Sequence, residues 1–281
     1  MKICGTIAEA RASCGEMRAR GARFALVPTM GALHEGHVSL VRAARAQCDA
    51  VVVSIFVNPK QFGPREDFAK YPRPFEKDCA LLAKEGVDIV FAPAVEEMYP
   101  HGETTWVNVE GLSEKLDGRS RPGHFRGVAT VVAKLFHVIE PNVAFFGQKD
   151  AAQLAVIRRM VSDLNFPVEI VGCAIVREPD GLAMSSRNAY LSPEERRRAL
   201  VLHHSLAEVE RAFREGECNA RTLAQLGRET VLQEPGARLD YFEIVDPETL
   251  DAVERIDGKT LVAVAAYVGT TRLIDNLVLA V

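Results

Sequence analysis

The chain has 281 residues and 48% of them are hydrophobic, which is enough for a sizeable core and on length alone suggests about two domains. Its 34 Lys and Arg residues against 38 Asp and Glu residues leave a net charge of -4. That charge is too small for a strong field and has the wrong sign for binding a phosphate backbone, so it argues against a nucleic-acid partner.

The first part of the chain alternates short β-branched apolar runs with longer helical patterns, and this alternation predicts an α/β fold with a parallel sheet wrapped by helices. Predicted strands cover residues 24–29, 50–57, 88–92, 143–146 and 168–176. Several of them are apolar on both faces, as buried parallel strands are. Apolar periodicity predicts helices over residues 38–47, 78–84 and 128–139. Residues 105–109 alternate cleanly and are predicted as an edge strand that a partner chain could cover.

A turn sequence at residues 177–181 follows the last strong parallel strand, and we place a domain boundary there, with domains at 1–176 and 177–281. The second part begins with a helix capped by Ser192. Two strand-like runs at 239–245 and 260–268 and an apolar tail at 273–279 complete it. These patterns predict a smaller α+β domain.

The six cysteines are scattered, without a CxxC pair or a His at zinc-ligand spacing, and are expected to be reduced thiols. The N-terminal residues lack the basic and apolar regions of a signal peptide, and no run approaches the roughly 20 apolar residues of a membrane span. We therefore expect a cytoplasmic protein that does not enter a membrane.

The segment VPTMGALHEGH at residues 27–37 leads from a buried strand through a turn to the start of a helix. A helix N-terminus offers free N–H groups to an anion, and Gly31 and Gly36 allow the backbone to approach phosphates closely. His34 and His37 can share one side of the first turn and donate to a triphosphate. A lone HxxH is more often a pair of surface or capping histidines, and a metal site lacks a nearby third ligand.

Two further segments suit a polyphosphate. AMSSR at 183–187 sets two hydroxyls beside Arg187 at the domain junction, where such a loop could close over phosphates or be an ordinary linker. FGQKD at 146–150 follows a predicted strand at the sheet edge where open α/β folds bind ligands. Lys149 is then a candidate phosphate cation and Asp150 a ribose acceptor, or else a helix cap.

Two other loops offer polar groups. FVNPKQFG at 56–63 presents Asn58 and Gln61 after a buried strand, where they could orient hydroxyls and a carboxylate, although the segment could also be a plain turn. RSRPGHFRG at 119–127 concentrates three arginines, which usually means a solvated surface but here could supply charge to an anionic substrate.

The HxGH form of the first segment resembles the signature of the nucleotidylyl-transfer superfamily. In order along most of the first 190 residues, four segments resemble the pantothenate synthetase family: PTMGALHEGH, FVNPKQFG with EDFAKYPR, RPGHFRGV, and FGQKD with AMSSRNAYLS. The resemblance implies a Rossmann-like ATP-binding sheet with helices on both faces, a smaller α+β C-terminal domain hinged over it, a homodimer, and dependence on ATP and Mg²⁺. The implied substrates are pantoate and β-alanine, joined through a pantoyl adenylate, and the metal ligands stay open.

By that resemblance the catalytic residues are His37, His34, Lys149 and Arg187. The implied ATP-binding residues are Met30, Gly31, Ala32, Leu33, His34, Glu35, Gly36, His37, Gly147, Gln148, Lys149, Asp150, Val176, Met184, Ser185, Ser186 and Arg187. Gln61 and Gln153 would bind pantoate, with Asn58 near β-alanine. The chain departs from the family at Ala152, where a glutamine is usual, so the pantoate contact depends on Gln153 taking that role.

Three rival interpretations stay open at this point. A nucleotidyltransferase that adds AMP to a cofactor precursor would share the HxGH segment and the serine loop. A tRNA-directed synthetase is disfavoured by the net charge. An ATP-binding sensor would bind the nucleotide without releasing pyrophosphate in the presence of pantoate.

Overall fold

A six-stranded parallel sheet forms the body of the protein in a computed structural model that describes residues 1–64 and 66–281. Its strands, in chain order β1 to β6, are Lys2–Cys4, Phe24–Thr29, Ala50–Ile55, Ile89–Phe91, Val143–Gly147 and Glu169–Cys173. The order across the sheet is β1-β4-β3-β2-β5-β6. The five predicted strands are confirmed, and the short β1 was not predicted.

Helices connect these strands and continue beyond them. In chain order α1 to α9 they are Ile7–Ala19, Glu35–Gln47, Phe75–Lys84, Val95–Met98, Asp117–Ser120, His124–Ile139, Ala151–Asp163, Pro193–Arg214 and Ala220–Leu232. Short 3-10 turns occur at Pro59–Gln61, Leu112–Glu114, Gln148–Asp150 and Ser186–Tyr190. The three predicted helices are present as α2, α3 and α6, and each begins a few residues earlier than predicted.

Both faces of the parallel sheet are covered, as the alternation along β2 shows. Phe24 and Leu26 pack into a core shared with α1, α6 and α7, whereas Ala25 and Val27 pack into a second core with α2 and α3. Successive strand residues point to opposite faces, so these two cores lie on either side of the sheet. The predicted fold class is confirmed.

The sheet reverses its direction of winding at β2. The strands β3 and β4 extend from one side of β2, and β5 and β6 extend from the other. The loops that follow β2 and β5 therefore separate at the carboxyl edge and leave a crevice, which is where open α/β sheets bind ligands. The HxGH segment follows β2 and the FGQKD segment follows β5.

The C-terminal part forms its own small layer structure. Strands Ala237–Val245 (β7), Thr260–Val268 (β8) and Thr271–Leu279 (β9) make an antiparallel sheet in that order, and α8 and α9 pack on it around a separate core. Ser192 caps α8 in a capping box with Glu195, as the sequence predicted for Ser192. The boundary at residues 176 and 177 stays a prediction.

The predicted edge strand at residues 105–109 is wrong, because this segment pairs with neither sheet. The backbone N–H of Val107 instead donates to the hydroxyl of Thr130 on α6, at 3.0 Å. Trp106 lies between two cations, Lys60 and Arg126, each close to 4 Å from the ring centroid. Side-chain contacts thus replace the backbone ladder that a strand would need.

Among the described residues no helix is both long and apolar enough to cross a bilayer. All six cysteines are free thiols, as expected.

Candidate functional site

A cavity of about 210 Å³ lies at the carboxyl ends of β2 and β5. It brings together side chains or backbone from all the segments that the sequence singled out. The predicted site residues that line it are Met30, His34, Gly36, His37, Asn58, Gln61, Gly147, Lys149, Asp150, Gln153, Val176, Met184, Ser185, Ser186 and Arg187. The other predicted ATP-binding residues, which are Gly31, Ala32, Leu33, Glu35 and Gln148, lie outside this lining.

A buried carboxylate that the sequence analysis missed shapes the turn between β2 and α2. Asp78, on α3, accepts hydrogen bonds from the backbone N–H groups of Ala32 at 2.8 Å and Leu33 at 2.9 Å. Gly31 precedes them with a φ of +79°, and Ala32 has a φ of +51°, a conformation that costs a non-glycine residue energy. These two N–H groups therefore hold the turn instead of facing the cavity.

The two histidines form a reciprocal cap on the first turn of α2. His34 is the N-cap, and its Nδ1 accepts from the N–H of Gly36 at 3.2 Å. The backbone N–H of His34 donates to Nδ1 of His37 at 3.3 Å. Because both Nδ1 atoms accept, a neutral ring carries its proton on Nε2 in each case. The cap therefore presents two Nε2–H donors from rings whose centroids are 4.2 Å apart.

Burial keeps both rings neutral near pH 7. It lowers the pKa of His37 to about 3, and the neighbouring His34 acts in the same direction. Burial also lowers the pKa of His34, with a further contribution from Lys149. The pair can therefore donate hydrogen bonds to a phosphate without itself supplying a positive charge.

The segment after β5 contributes an ammonium group to the cavity. Lys149 and Asp150 line it, with Lys149 Nζ 3.7 Å from Asp150 Oδ1. One turn further along, Gln153 faces the cavity while Ala152 is buried in the main core. This arrangement supports the prediction that Gln153 takes the role of the pantoate contact.

Gln61 is held in one orientation by a chain of hydrogen bonds. Asn58 donates through Nδ2 to the carbonyl of Gly127 at 3.1 Å and accepts through Oδ1 from the N–H of Lys60 at 3.2 Å. These backbone groups determine which way its amide faces. The second Nδ2 proton then meets Oε1 of Gln61 at 3.0 Å, which leaves the Gln61 Nε2 group beside Met30 at the cavity wall.

Asn58 itself has little capacity left for a ligand. It is 1% exposed, and its Oδ1 also accepts from the hydroxyl of Tyr99 at 2.7 Å. Both of its N–H groups and its oxygen are occupied by protein partners. The structure therefore places Asn58 behind Gln61, where it orients that side chain.

The serine loop is engaged with the segment before α3. Arg187 donates to both carboxylate oxygens of Asp67 at 3.0 Å. The Ser186 hydroxyl lies 3.2 Å from that of Tyr71, and Ser185 caps the next turn through the N–H of Arg187. Arg187 was predicted as a catalytic residue that contacts the phosphates of ATP. In this structure two of its five N–H donors are paired with Asp67, while the side chain still lines the cavity.

The backbone at Val176, before the serine loop, lies in the same wall of the cavity as that loop. The carbonyl of Val176 accepts from the N–H of Met184 at 3.0 Å. Both residues line the cavity, so Val176, an implied ATP-binding residue, is joined directly to the serine loop.

The basic loop at 119–127 does not present free guanidinium groups to the cavity. Arg119 pairs with Glu243, Arg121 with Glu66, and Arg126 lies over the ring of Trp106. The expectation that this loop supplies charge to a substrate is therefore not supported by its contacts. Its structural role is clearer, since Arg121 crosses from this loop to the segment that follows Gln61.

His124, the first residue of α6, is a buried neutral group. Its Nδ1 lies 2.8 Å from the carbonyl of Gln61, and its Nε2 lies 3.0 Å from an N–H of Arg121. The carbonyl can only accept and the guanidinium can only donate, so the proton is on Nδ1. Burial lowers the pKa of His124 to about 4, and Arg121 acts in the same direction.

The cavity lining is compatible with the magnesium ion that the family resemblance implies. Within residues 1–64 and 66–281 no three His, Cys, Asp or Glu side chains converge on a metal position. Among the described residues that line the cavity, Asp150 is the one carboxylate. Mg²⁺ is commonly held by one or two carboxylates together with the phosphates of its nucleotide. This donor set therefore suits Mg·ATP better than a resident metal.

A second cavity of about 470 Å³ continues from the first towards the smaller domain. Residues of β9 close the second cavity on its far side. The residues that line both cavities are Arg121, His124, Lys149, Asp150, Gln153, Ser185 and Arg187. The site thus lies between the parallel sheet and the C-terminal sheet, with room for more than one small molecule.

Comparison with known proteins agrees with this geometry. The family model described as pantoate-beta-alanine ligase matches residues 2–278. A pantothenate synthetase of Koribacter versatilis is 63% identical over 279 residues, covering 99% of this chain and 96% of that one. The crystal structure of pantothenate synthetase from Thermus thermophilus superimposes with a TM-score of 0.94 at 50% identity over 99% of both chains. A Francisella tularensis pantoate-beta-alanine ligase, complexed with beta-gamma ATP and beta-alanine, has a TM-score of 0.76 at 32% identity, over 99% of this chain and 97% of that one.

Proposed function

From the premise that the chain belongs to the pantoate-beta-alanine ligase family, we propose that it condenses pantoate with β-alanine to form pantothenate, using ATP and releasing AMP and pyrophosphate. The observation that carries the proposal is the cavity at the reversal of the sheet. It sets two neutral histidine donors, Lys149 and two glutamine side chains around one space. The Francisella relative, complexed with beta-gamma ATP and beta-alanine, supports the choice of substrates.

The first step joins pantoate to the nucleotide. A carboxylate oxygen of pantoate attacks the α-phosphorus of ATP, the bond to the bridging oxygen breaks, and pyrophosphate leaves. The Nε2–H groups of His34 and His37 and the ammonium of Lys149 stabilise charge that grows on the phosphate oxygens. Most of the acceleration comes from this stabilisation and from alignment of the two reactants.

Gln61 and Gln153 are the proposed pantoate contacts. The Nε2 group of Gln61 is directed to the cavity by Asn58, so Gln61 enters the site as a hydrogen-bond donor. A donor suits the carboxylate or a hydroxyl oxygen of pantoate. Because this amide cannot turn freely, its orientation is established before the substrate binds.

The second step consumes the adenylate. The neutral amine of β-alanine attacks the carbonyl carbon of the mixed anhydride, AMP leaves with the anhydride oxygen, and the amine loses a proton. The second cavity, which opens from the first beside Asp150 and Gln153, offers a route for β-alanine. Closure of the serine loop over the site would exclude water and protect the intermediate from hydrolysis.

Bound with ATP, Mg²⁺ would neutralise phosphate charge, and Asp150 is the side chain placed to contact it. Arg187 is proposed to exchange Asp67 for a phosphate when ATP binds. The homodimer and the cytoplasmic location stay predictions from the sequence, as does the domain boundary after residue 176. Analytical ultracentrifugation would test the prediction of a homodimer.

The decisive measurement is release of pyrophosphate and AMP from Mg·ATP, with and without pantoate and β-alanine. We expect pyrophosphate to depend on pantoate, and AMP and pantothenate to appear once β-alanine is added. A nucleotidyltransferase would instead keep AMP joined to its product. A folded protein that binds ATP but releases no pyrophosphate with pantoate would contradict the proposal.

A further inference from the structure

Strand β9 carries two adjacent polar residues that are buried on opposite sides of the C-terminal sheet. Leu273 and Leu277 pack into the core of the smaller domain, whereas Ile274 packs against the main core. Since side chains alternate along a strand, Asp275 faces the smaller core and Asn276 faces the parallel sheet. Each is only 3% exposed, and a buried polar side chain is costly unless its hydrogen bonds are made.

The side-chain amide of Asn276 is hydrogen-bonded to the segment that carries Lys149. Its Nδ2 group donates to the carbonyl of Gln148 at 3.0 Å and to the carbonyl of Lys149 at 2.9 Å. Its Oδ1 lies 3.4 Å from Nε2 of Gln148. Both amide protons are therefore committed to consecutive carbonyls of one turn. A carboxylate or a hydrophobic residue at this position could not make that pair of contacts.

The turn that Asn276 contacts connects β5 to α7. Asp150 is the N-cap of α7, but its side chain makes no capping hydrogen bond. Asn276 in β9 is the side chain that holds the carbonyls of Gln148 and Lys149. The direction of the Lys149 side chain follows from that backbone, because a Cα–Cβ bond turns with the peptide plane beside it.

The other face of β9 holds the second phosphate-facing segment. Asp275 accepts from Arg177 through both carboxylate oxygens, at 2.6 and 3.0 Å. Arg177 also donates to the carbonyl of Gly181 at 3.0 Å, in the turn that leads to the serine loop. Two consecutive residues of the smaller domain thus connect to both segments that were predicted to bind phosphates.

We propose that Asn276 is a positioning residue for the phosphate site: it holds the Gln148–Lys149 backbone so that Lys149 points into the cavity, and the smaller domain thereby completes the ATP site. The inference rests on the proposed role of Lys149 as a phosphate cation. It does not depend on the identity of the acid or the amine that is joined.

The test is a double-mutant cycle on binding of Mg·ATP, measured by isothermal titration calorimetry. Four proteins are compared: the unmodified chain, Asn276→Ala, Lys149→Ala and the double variant. We expect Asn276→Ala to weaken ATP binding by about tenfold. In the Lys149→Ala background the same change is expected to weaken it by less than about twofold, because a residue that acts through Lys149 has nothing left to position.

Asn219→Ala is the matched control. Asn219 caps α9 in the same domain, where its Oδ1 accepts from the N–H of Thr222 at 3.0 Å, and it lies outside both cavities. Its loss is expected to lower the melting temperature while leaving the ATP Kd unchanged. If Asn276→Ala does not fold, Asn276→Ser keeps one donor and should show a smaller version of the same pattern.

Two results would overturn the proposal. One is an ATP Kd that does not change in a folded Asn276 variant. The other is an equal loss in both backgrounds, which would mean that Asn276 acts independently of Lys149. Since the readout is ATP binding, it stays informative even if the protein releases no pyrophosphate with pantoate, so the two proposals fail separately.

Discussion

Several polar side chains of the site are held in one orientation by hydrogen bonds from the protein. The backbone groups around Asn58 set its amide, Asn58 sets Gln61, and the cap on α2 sets the tautomers of His34 and His37. Donors that are already oriented need less reorganisation when charge develops in a transition state. At this scale the protein's contribution to catalysis is the orientation of hydrogen-bond donors.

His37→Ala tests that contribution directly. We expect the rate of pantoate-dependent pyrophosphate release to fall by roughly a hundredfold or more, as when an oxyanion donor is removed, with little change in the KM for pantoate. Single-turnover kinetics would separate the rate of the first chemical step from the binding of pantoate. His101→Ala, at an exposed turn, is the control and should leave both unchanged. An undiminished first step in the His37 variant would remove the ring from the mechanism.

At the scale of elements, the site depends on how closely α6 approaches the turn at Pro59–Gln61. Gly127 lies at the contact, where a Cβ atom would stand 2.2 Å from the carbonyl oxygen of Lys60 and 2.7 Å from the nitrogen of Gln61. No side chain fits there without moving backbone. The carbonyl of Gly127 is also the group that orients Asn58, so the packing and the hydrogen bonds depend on the same approach.

Gly127→Ala should therefore affect stability and substrate binding together. We expect a loss of about 1–3 kcal/mol in the free energy of unfolding, as for other overpacked sites, and a raised KM for pantoate, because Gln61 shifts with its turn. Gly15→Ala on α1 is the matched control, since a Cβ atom there meets nothing within 4 Å. That change should stabilise the protein by about 0.5–1 kcal/mol without altering pantoate kinetics.

Thermal unfolding and steady-state kinetics of both variants decide the matter. If Gly127→Ala keeps the wild-type KM for pantoate while it is destabilised, the turn carries Gln61 independently of α6. If it is neither destabilised nor altered in KM, the close approach is not required at all.

Considered as a whole molecule, the protein should lose stability in acid because it buries neutral histidines. The pKa of His124 is about 4 and that of His37 about 3, below the usual 6.5 in both cases, and burial is the main cause. Between the usual value and the lowered one, the unfolded chain binds a proton that the folded chain does not. Stability is therefore fully present above about pH 6.5 and falls as the pH decreases towards 4.

His124→Asn should make the free energy of unfolding depend less steeply on pH. For His124 the shift corresponds to about 3 kcal/mol between pH 6.5 and 4, so denaturant unfolding should depend less steeply on pH in the variant than in the wild type. At pH 8, where the ring is neutral in both states, the two proteins should differ only by a constant offset. An identical slope in both proteins would show that His124 takes up its proton in the folded state as readily as in the unfolded one.

Local patterns in the sequence were sufficient for the parallel sheet, for its helices and for most of the residues around the cavity. The strands are short β-branched runs, and the cap of α8 at Ser192 is read from adjacent residues. A local signal also existed for the unpredicted α1, whose Thr6 and Glu9 form a capping box. The family motifs lie at the ends of strands, and parallel strands bring those ends to one edge of the sheet.

Only the tertiary structure could decide which partners the polar groups meet. Asp78, Asp67 and Asn276 are far along the chain from the groups that they hold, namely the turn before α2, Arg187 and the Lys149 turn. Residues 105–109 have the alternation of a strand, yet α6 satisfies Val107 with a hydroxyl. Such contacts depend on how elements pack in three dimensions. Hydrophobic periodicity and secondary-structure propensity do not encode that packing. The sequence therefore determined the class of fold and the location of the site, and packing between distant segments decided how each functional side chain is oriented.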